Sequence, residues 1–275
     1  MKPAPFGYRR VRSVEEALAT LRDSGGDAKL VAGGQSLGPM LNLRLARPAM
    51  LIDIGTIEAL TRIDEQPDHV RIGACVTHAR IEDEAGGIAG IECLARVARG
   101  IAYRAVRNRG TIGGSLAHAD PAADWPLALA ALGATIELAS RDGTRRIDAA
   151  SFMVGGYATQ LGEGEMVVAV EIPRMSRSAR WAYQKFCRKP GEFAEAAAAV
   201  LLDSQRRVAR VFVGAPADRP TGLPALAREV ARRGRDGAAA DGLAGHLDPL
   251  LAHAAPARRQ ACRVMLGRAL EQVLQ

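Results

Sequence analysis

Aromatic residues are scarce in this chain of 275 residues: phenylalanine, tryptophan and tyrosine together make up 4% of it. Proteins that grip nucleic acid interleave aromatic and basic side chains or carry a recognition motif, and this sequence has neither. Cysteine is also rare. Cys75, Cys93, Cys187 and Cys262 stand far apart, with no CxxC pair and no cysteine–histidine cluster at zinc spacing. An iron–sulfur cluster needs clustered thiolates, so the chain is expected to carry none of its own. Scattered thiols suit a reducing compartment. Long apolar runs are missing too. The longest, "WPLALAALGATI" at 125–136, has twelve residues, whereas a membrane-spanning helix needs about 20. The N-terminus "MKPAPFGYRRVRS" has no signal-peptide core. The expectation is a soluble, cytoplasmic protein with no membrane span. Also absent are GxGxxG, a phosphate loop ending in Gly-Lys-Ser/Thr, and GxSxG around Ser115, whereas Gly34-Gln35-Ser36-Leu37-Gly38 does carry the GxSxG letters. These absences remove the commonest nucleotide-binding signatures, and no His-Asp pair is positioned by motif to make Ser36 a hydrolase nucleophile.

Hydrophobic content of 48% and charged content of 24% are ordinary for a globular protein. The net charge of +7 is unevenly placed. Residues 176–275 hold 17 Lys+Arg against 9 Asp+Glu, while the rest of the chain is close to neutral. Without a nucleic-acid motif, this basic third reads as a solvated surface or a docking face for an acidic partner.

Apolar spacing divides the chain into three parts. In residues 1–55, Ser13 and Glu16 have the spacing of a capping box, and Val14, Ala17, Leu18 and Leu21 share one helical face. Gly25-Gly26 ends that helix. "KLVAG" reads as a buried strand, 36–45 as a helix with Leu37, Met40, Leu41 and Leu45 inward, and "MLIDI" (50–54) as a strand. Residues 56–175 add a strand at 69–76, a helix after Thr77, helical patterning over 88–106, a buried helix in "PLALAALG", and strands at 134–140 and 166–173. Residues 176–275 read as three strands, "WAYQKFCRK", "AEAAAAVLLDS" and "RVARVFVGAP", followed by three helical stretches. Only "RRGRDGAAADG" (232–242) has the composition of a linker.

Two turns carry the chemistry. "LVAGGQSLGPML" (30–41) runs from a strand through Gly33-Gly34 into a helix, and "RNRGTIGGSLAHADPAAD" (107–124) repeats the pattern at Gly113-Gly114-Ser115. A strand that enters a helix through glycines leaves backbone N–H groups unpaired, and these attract an anion. Gln35 and Ser36 add polar donors. Either turn alone is a common tight connection. As a pair, one on each lobe, they predict a shared diphosphate and therefore a dinucleotide.

These two stretches, "AGGQSLGPMLNLRLARPAMLIDI" and "RNRGTIGGSLAHADPAADWPLALAALGA", resemble the FAD-binding medium subunit of molybdenum hydroxylases, the xanthine dehydrogenase and aerobic carbon monoxide dehydrogenase family. The resemblance runs through about residue 200 and fades in the last 70. It implies an α+β protein with a two-lobed FAD-binding fold: a small α/β lobe at 1–55 and a larger α+β lobe at 56–175. A C-terminal α/β domain with a three-stranded sheet and helices would follow at 176–275. The first turn, Ala32, Gly33, Gly34, Gln35, Ser36 and Leu37, would wrap the FAD diphosphate. The second, Gly110, Thr111, Ile112, Gly113, Gly114 and Ser115, would close on it. Asp124 matches a family acid near the ribityl or diphosphate region, and Lys185 a lysine near the flavin ring. Many relatives carry Asp at the position of Ser115, and "GDFA" where this chain has Gly191-Glu192-Phe193-Ala194. The implied partners are a [2Fe–2S] small subunit and a molybdopterin-containing large subunit, assembled as a dimer of heterotrimers. No catalytic acid or base is assigned to this chain. Two alternatives stand beside this reading: a stand-alone FAD-dependent oxidoreductase of the same fold, and a basic nucleic-acid-binding protein.

Other residues have plainer readings. His69 and His78 are expected on the surface or in turns, and His118 sits just after the second glycine turn. Asp53 is expected to stabilise a turn, with the adenosine end of a cofactor as the other reading. Arg104, Arg107 and Arg109 read as a solvated helix face. Tyr103 is either core or a wall of the flavin pocket, and Phe193 is placed to lie against the flavin.

Overall fold

A computed structural model describes residues 2–215, 217–238 and 240–275 of the chain. At the N-terminus, β1 (Gly7–Arg10), α1 (Val14–Asp23), β2 (Ala28–Val31), α2 (Leu37–Asn42) and β3 (Met50–Asp53) form a small layer. Its three-stranded parallel sheet has the order β1-β3-β2. Ser13 caps α1 by accepting from the Glu16 backbone N–H, and the Glu16 carboxylate reaches back to the Arg12 N–H, one residue before the position a capping box uses. The second helix is shorter than its spacing predicts. It ends at Asn42, and Leu45 is 73% exposed instead of inward.

The second part is built on a five-stranded antiparallel sheet. In chain order it comprises β4 (Ile63–Glu65), β5 (His69–Gly73), α3 (His78–Glu84), α4 (Cys93–Arg99), α5 (Arg104–Arg107), α6 (Ile112–His118), α7 (Asp124–Leu132), β6 (Thr135–Ser140) and β7 (Gly143–Asp148). It continues with α8 (Ala149–Phe152), a small ribbon of β8 (Met153–Gly155) and β9 (Ala158–Thr159), and β10 (Met166–Pro173). The sheet order is β4-β5-β10-β6-β7. Helical patterning over 88–106 resolves into two short helices, α4 and α5, separated by an irregular turn. One face of this sheet packs on the N-terminal layer, where Ala139, Met166 and Val168 meet Ile52 and Ile54. The other face is covered by helices, with Ile72, Ile136 and Val170 against Leu94, Leu116, Trp125 and Leu129.

The third part is a four-stranded antiparallel sheet with helices on one side. Its strands are β11 (Arg180–Phe186), β12 (Ala196–Asp203), β13 (Val208–Gly214) and β14 (Thr221–Gly222), in that order. The short β14 is the fourth strand that the three-strand reading lacked. The helices are α9 (Pro224–Arg233), α10 (Ala240–Leu247) and α11 (Pro256–Leu274). Within the linker-like 232–242 stretch, Ala239 lies outside the described residues. Cys262, Met265, Leu266, Ala269 and Val273 of α11 pack on Ala198, Val200 and Val211 of the sheet.

The placement of α7 explains its sequence. All nine of its residues are buried. Leu129 and Leu132 point into the core of the five-stranded sheet, while Leu127 and Ala131 pack on Ala197 and Ala199 of β12. A helix buried between two sheets has no solvent side and therefore shows no polar stripe. Leu127→Ala and Leu129→Ala, on opposite sides of the helix, are each expected to lower stability by about 2–5 kcal/mol. Urea unfolding measures both, and a loss at only one position would show that one face is not packed.

Candidate functional site

The two glycine turns meet. A Cβ built on Gly33 would overlap the carbonyl oxygen of Arg109, and would stand 2.6 Å from its carbonyl carbon and 2.9 Å from the Gly110 Cα. No side chain larger than hydrogen fits there, and the contact brings the N-terminal layer against the second turn backbone to backbone. A cleft of about 550 Å³ opens along this seam. Ala32, Gly33, Gly34, Gln35, Ser36 and Leu37 line it from one side, and Gly110, Thr111, Gly114, Ser115 and Asp124 from the other. The loop between β11 and β12 closes the cleft from the third part with Gly191, Glu192 and Phe193.

The turns offer different groups to a ligand. Among the described residues, the backbone N–H groups of Gly33, Gly34, Gln35, Ser36 and Leu37 donate to no acceptor in the chain. Gly34 adopts φ +71°, and a left-handed residue within a turn directs successive N–H groups into one concavity suited to an anion. The second turn differs from the expectation. The Ile112 N–H donates to the Val76 carbonyl (3.1 Å), that of Gly113 to the Ala74 carbonyl (2.9 Å), and that of Gly114 to the Thr111 hydroxyl (3.1 Å). These amides are spent inside the fold. Gly113 does not line the cleft, and a Cβ there would stand 2.5 Å from that of Ala74. The second turn therefore presents side-chain hydroxyls, a bare glycine and close backbone, while the first presents the free amides.

Behind the cleft wall lies a buried ionic cluster. The Lys185 Nζ sits 3.0 Å from Asp124 Oδ1 and donates to the Gly100 carbonyl at 2.9 Å. The Tyr183 hydroxyl donates to Asp124 Oδ1 at 2.8 Å. Burial raises the pKa of the Asp124 carboxyl, and Lys185 and Tyr183 oppose that shift. Asp124 lines the cleft, whereas Lys185 stands behind it with its side chain 10% exposed. A second network holds the rim. Glu82 receives Arg107 at 2.8 Å, Arg104 at 3.0 Å and Arg99 at 3.5 Å. Arg107 also donates to the carbonyls of Ile101 and Ala102, both cleft residues. Arg104 and Arg107 are thus ion-paired, and Arg107 is buried instead of lying on a solvated face. Tyr103 is 74% exposed and does not line the cleft, which corrects both of its readings. Asp53 accepts from the Gly55 N–H, Arg10 and Tyr8, in keeping with its reading as a turn-stabilising carboxylate.

His78 departs furthest from expectation. It is 6% exposed and lines the cleft. Trp125 Nε1 donates to its Nδ1 at 3.0 Å. Burial, reinforced by the nearby Arg107 charge, lowers its pKa from 6.5 to about 4. No local signal marks it, because its partner lies 47 positions away. Ile101, Ala102 and Leu161, from irregular segments, and Val106, from the one-turn helix α5, also line the cleft without a sequence signature.

Free amides line one wall, apolar side chains others, and a backbone seam joins the two lobes, a set of groups suited to a dinucleotide. Comparisons with known proteins narrow the class. Residues 4–175 match the family model described as the FAD binding domain in molybdopterin dehydrogenase. The nicotine 6-hydroxylase medium subunit of Paenarthrobacter nicotinovorans is 42% identical over 217 residues, which cover 78% of this chain and 76% of that one. The carbon monoxide dehydrogenase medium chain of Hydrogenophaga pseudoflava is 40% identical over 224 residues, covering 81% of this chain and 78% of that one. Among solved structures, quinoline 2-oxidoreductase from Pseudomonas putida 86 contains a chain with a TM-score of 0.92 and 33% identity, covering 100% of this chain and 99% of that one. The chain belongs to the FAD-binding family of molybdopterin dehydrogenases. The α+β fold and FAD as cofactor follow from that membership, and the structural match extends through the C-terminal part where sequence resemblance fades. No helix among the described residues is long and apolar enough to cross a membrane.

The His78 geometry gives a pH signature. Between its folded value of about 4 and the ordinary 6.5, the unfolded chain binds the proton that the folded chain refuses. Stability is therefore full above pH 6.5 and falls by about 3 kcal/mol as the pH drops to about 4. Denaturant melts of wild type and His78→Gln over this range measure it. The expected result is a shallower decline in the variant, and equal slopes would contradict a buried neutral imidazole.

Proposed function

We propose that this chain is the flavin subunit of a multi-chain molybdenum hydroxylase. Electrons would arrive from [2Fe–2S] centres on a small subunit, and an acceptor such as NAD⁺, a quinone or oxygen would collect them. Substrate hydroxylation would take place at a molybdopterin cofactor on a large subunit. The likeness to chains named as medium subunits supports a multi-chain assembly, which on this reading would be a dimer of heterotrimers in the cytoplasm. FAD, when bound, supplies the interchange between one-electron and two-electron transfer.

The row of free amides at Gly33–Leu37 carries the reading. Their donors fit a diphosphate, with the Thr111 and Ser115 side chains and the Gly114 backbone closing from the other side. Ile101, Ala102, Val106, Leu161 and Phe193 fit the flavin as an apolar, water-excluding wall. Lys185, paired with Asp124, stands as a fixed charge behind that wall. The Glu82–Arg107 pair fixes the 101–102 segment that the flavin would rest against.

The partners of the cleft carboxylates favour electron relay over substrate chemistry in this chain. Asp120 receives the Tyr157 hydroxyl, Glu165 pairs with Arg145, Glu192 accepts from the Lys189 N–H, and Asp124 holds Lys185. Each is engaged in structure. The four cysteines occupy separate surroundings, with Cys75 in the core between the first two sheets and Cys262 in that of the third. Their dispersal suits clusters held by a partner chain.

Titration of the purified chain with FAD tests the site. A methyl group at position 33 is expected to push the lobes apart. Gly33→Ala should weaken FAD about 5- to 100-fold, the equivalent of about 1–3 kcal/mol of overpacking. Unchanged affinity would remove the seam from the cofactor site. Purification from the native host, with identification of the chains that accompany it, tests the assembly.

A further inference from the structure

We infer that His78 is a built-in hydrogen-bond donor to the cofactor's diphosphate, with its tautomer fixed by Trp125. The inference rests on the FAD reading of the cleft and adds a residue to it. Indole Nε1–H is a donor only. At 3.0 Å from Trp125 Nε1, His78 Nδ1 must be the acceptor. In a neutral imidazole the proton then sits on Nε2. Burial and the neighbouring Arg107 keep the ring neutral.

The Nε2 edge lies at the seam. The Gly110 Cα carries no side chain where His78 Nε2 and Cδ2 would each stand 2.9 Å from a Cβ. The His78 backbone N–H donates to the Gly110 carbonyl at 2.9 Å, tying the ring to the second turn. Gly110 follows Arg109, whose carbonyl fills the space beside Gly33. The imidazole is therefore placed near the same backbone contact that adjoins the free amides of the first turn. Among the described residues, no hydrogen bond within the chain uses Nε2, while His78 lines the cleft. Nε2 is not among the described side-chain atoms that are both buried and unpartnered, so it opens on the cleft, where a poorly solvated N–H gains from an acceptor. An anionic oxygen in the cleft supplies that acceptor, and the fixed tautomer ensures that a donor meets it.

Isothermal titration of the full chain with FAD and with ADP, which carries the diphosphate without the flavin, tests the inference. His78→Leu is expected to weaken both ligands by about 10- to 100-fold. His78→Gln, which can place an amide N–H near the position of Nε2, should recover affinity to within about threefold of wild type. Nitrogen-15 spectra of the histidine rings in the ligand-free protein are expected to show His78 protonated at Nε2 and bare at Nδ1, with the Nε2–H resonance moving on addition of ADP. These spectra need no variant, so a misfolded His78→Leu leaves the inference testable. Wild-type affinity in a folded His78→Leu protein would overturn it, as would a bare Nε2 or a loss confined to FAD. A folded wild-type chain that takes up neither FAD nor ADP would overturn the cofactor reading itself, and this inference with it.

Discussion

The absence of a side chain at Gly33 lets two lobes touch. The Arg109 carbonyl and the Gly110 Cα occupy the space that a Cβ would need, so the N-terminal layer reaches the second turn through backbone alone. The other features of the site are arranged around this contact. The first turn can leave its amides unpaired because it bends away from its own sheet through Gly34. The second turn is held rigid because Thr111, Val76 and Ala74 absorb its donors. In the proposed site, one wall would offer its free amides to the ligand and the other would serve as a fixed surface against it. Such an arrangement lowers the reorganisation needed on binding, which is how preorganised sites gain affinity.

Support for the cleft comes from farther away. The Glu82–arginine network sits outside it yet fixes Ile101 and Ala102 through Arg107. The third part of the chain contributes through the β11–β12 loop, where the Ala102 N–H donates to the Gly191 carbonyl at 2.9 Å. Packing of α7 against both sheets places Asp124 and Trp125 at its first turn, beside the cleft. A family model that ends near residue 175 thus leaves out Lys185 and Phe193, which the third part brings to the site.

Much of this was legible in the residues. The unbroken apolar run of α7, the strand at 166–173 and the apolar face of α11 follow from burial that leaves a local pattern. The strand β1 was not legible, because all four of its residues are exposed and its pairing with β3 is decided by position. The same holds for β7, five of whose six residues are exposed. Two glycine turns announced an anion site, yet their division of labour did not show. Which amides are free depends on carbonyls at Val76 and Ala74, brought in by the sheet. His78 read as an ordinary turn residue because its character comes from Trp125 and Arg107, both distant in sequence.

Amide hydrogen exchange, followed residue by residue with and without FAD, addresses the asymmetry of the two turns most directly. Fast exchange at Gly33–Leu37 that slows on FAD binding, with Gly113 and Gly114 slow in both states, is the predicted result. Exchange that is fast at Gly113 and Gly114 until FAD arrives, or unaltered at Gly33–Leu37 in its presence, would contradict the account.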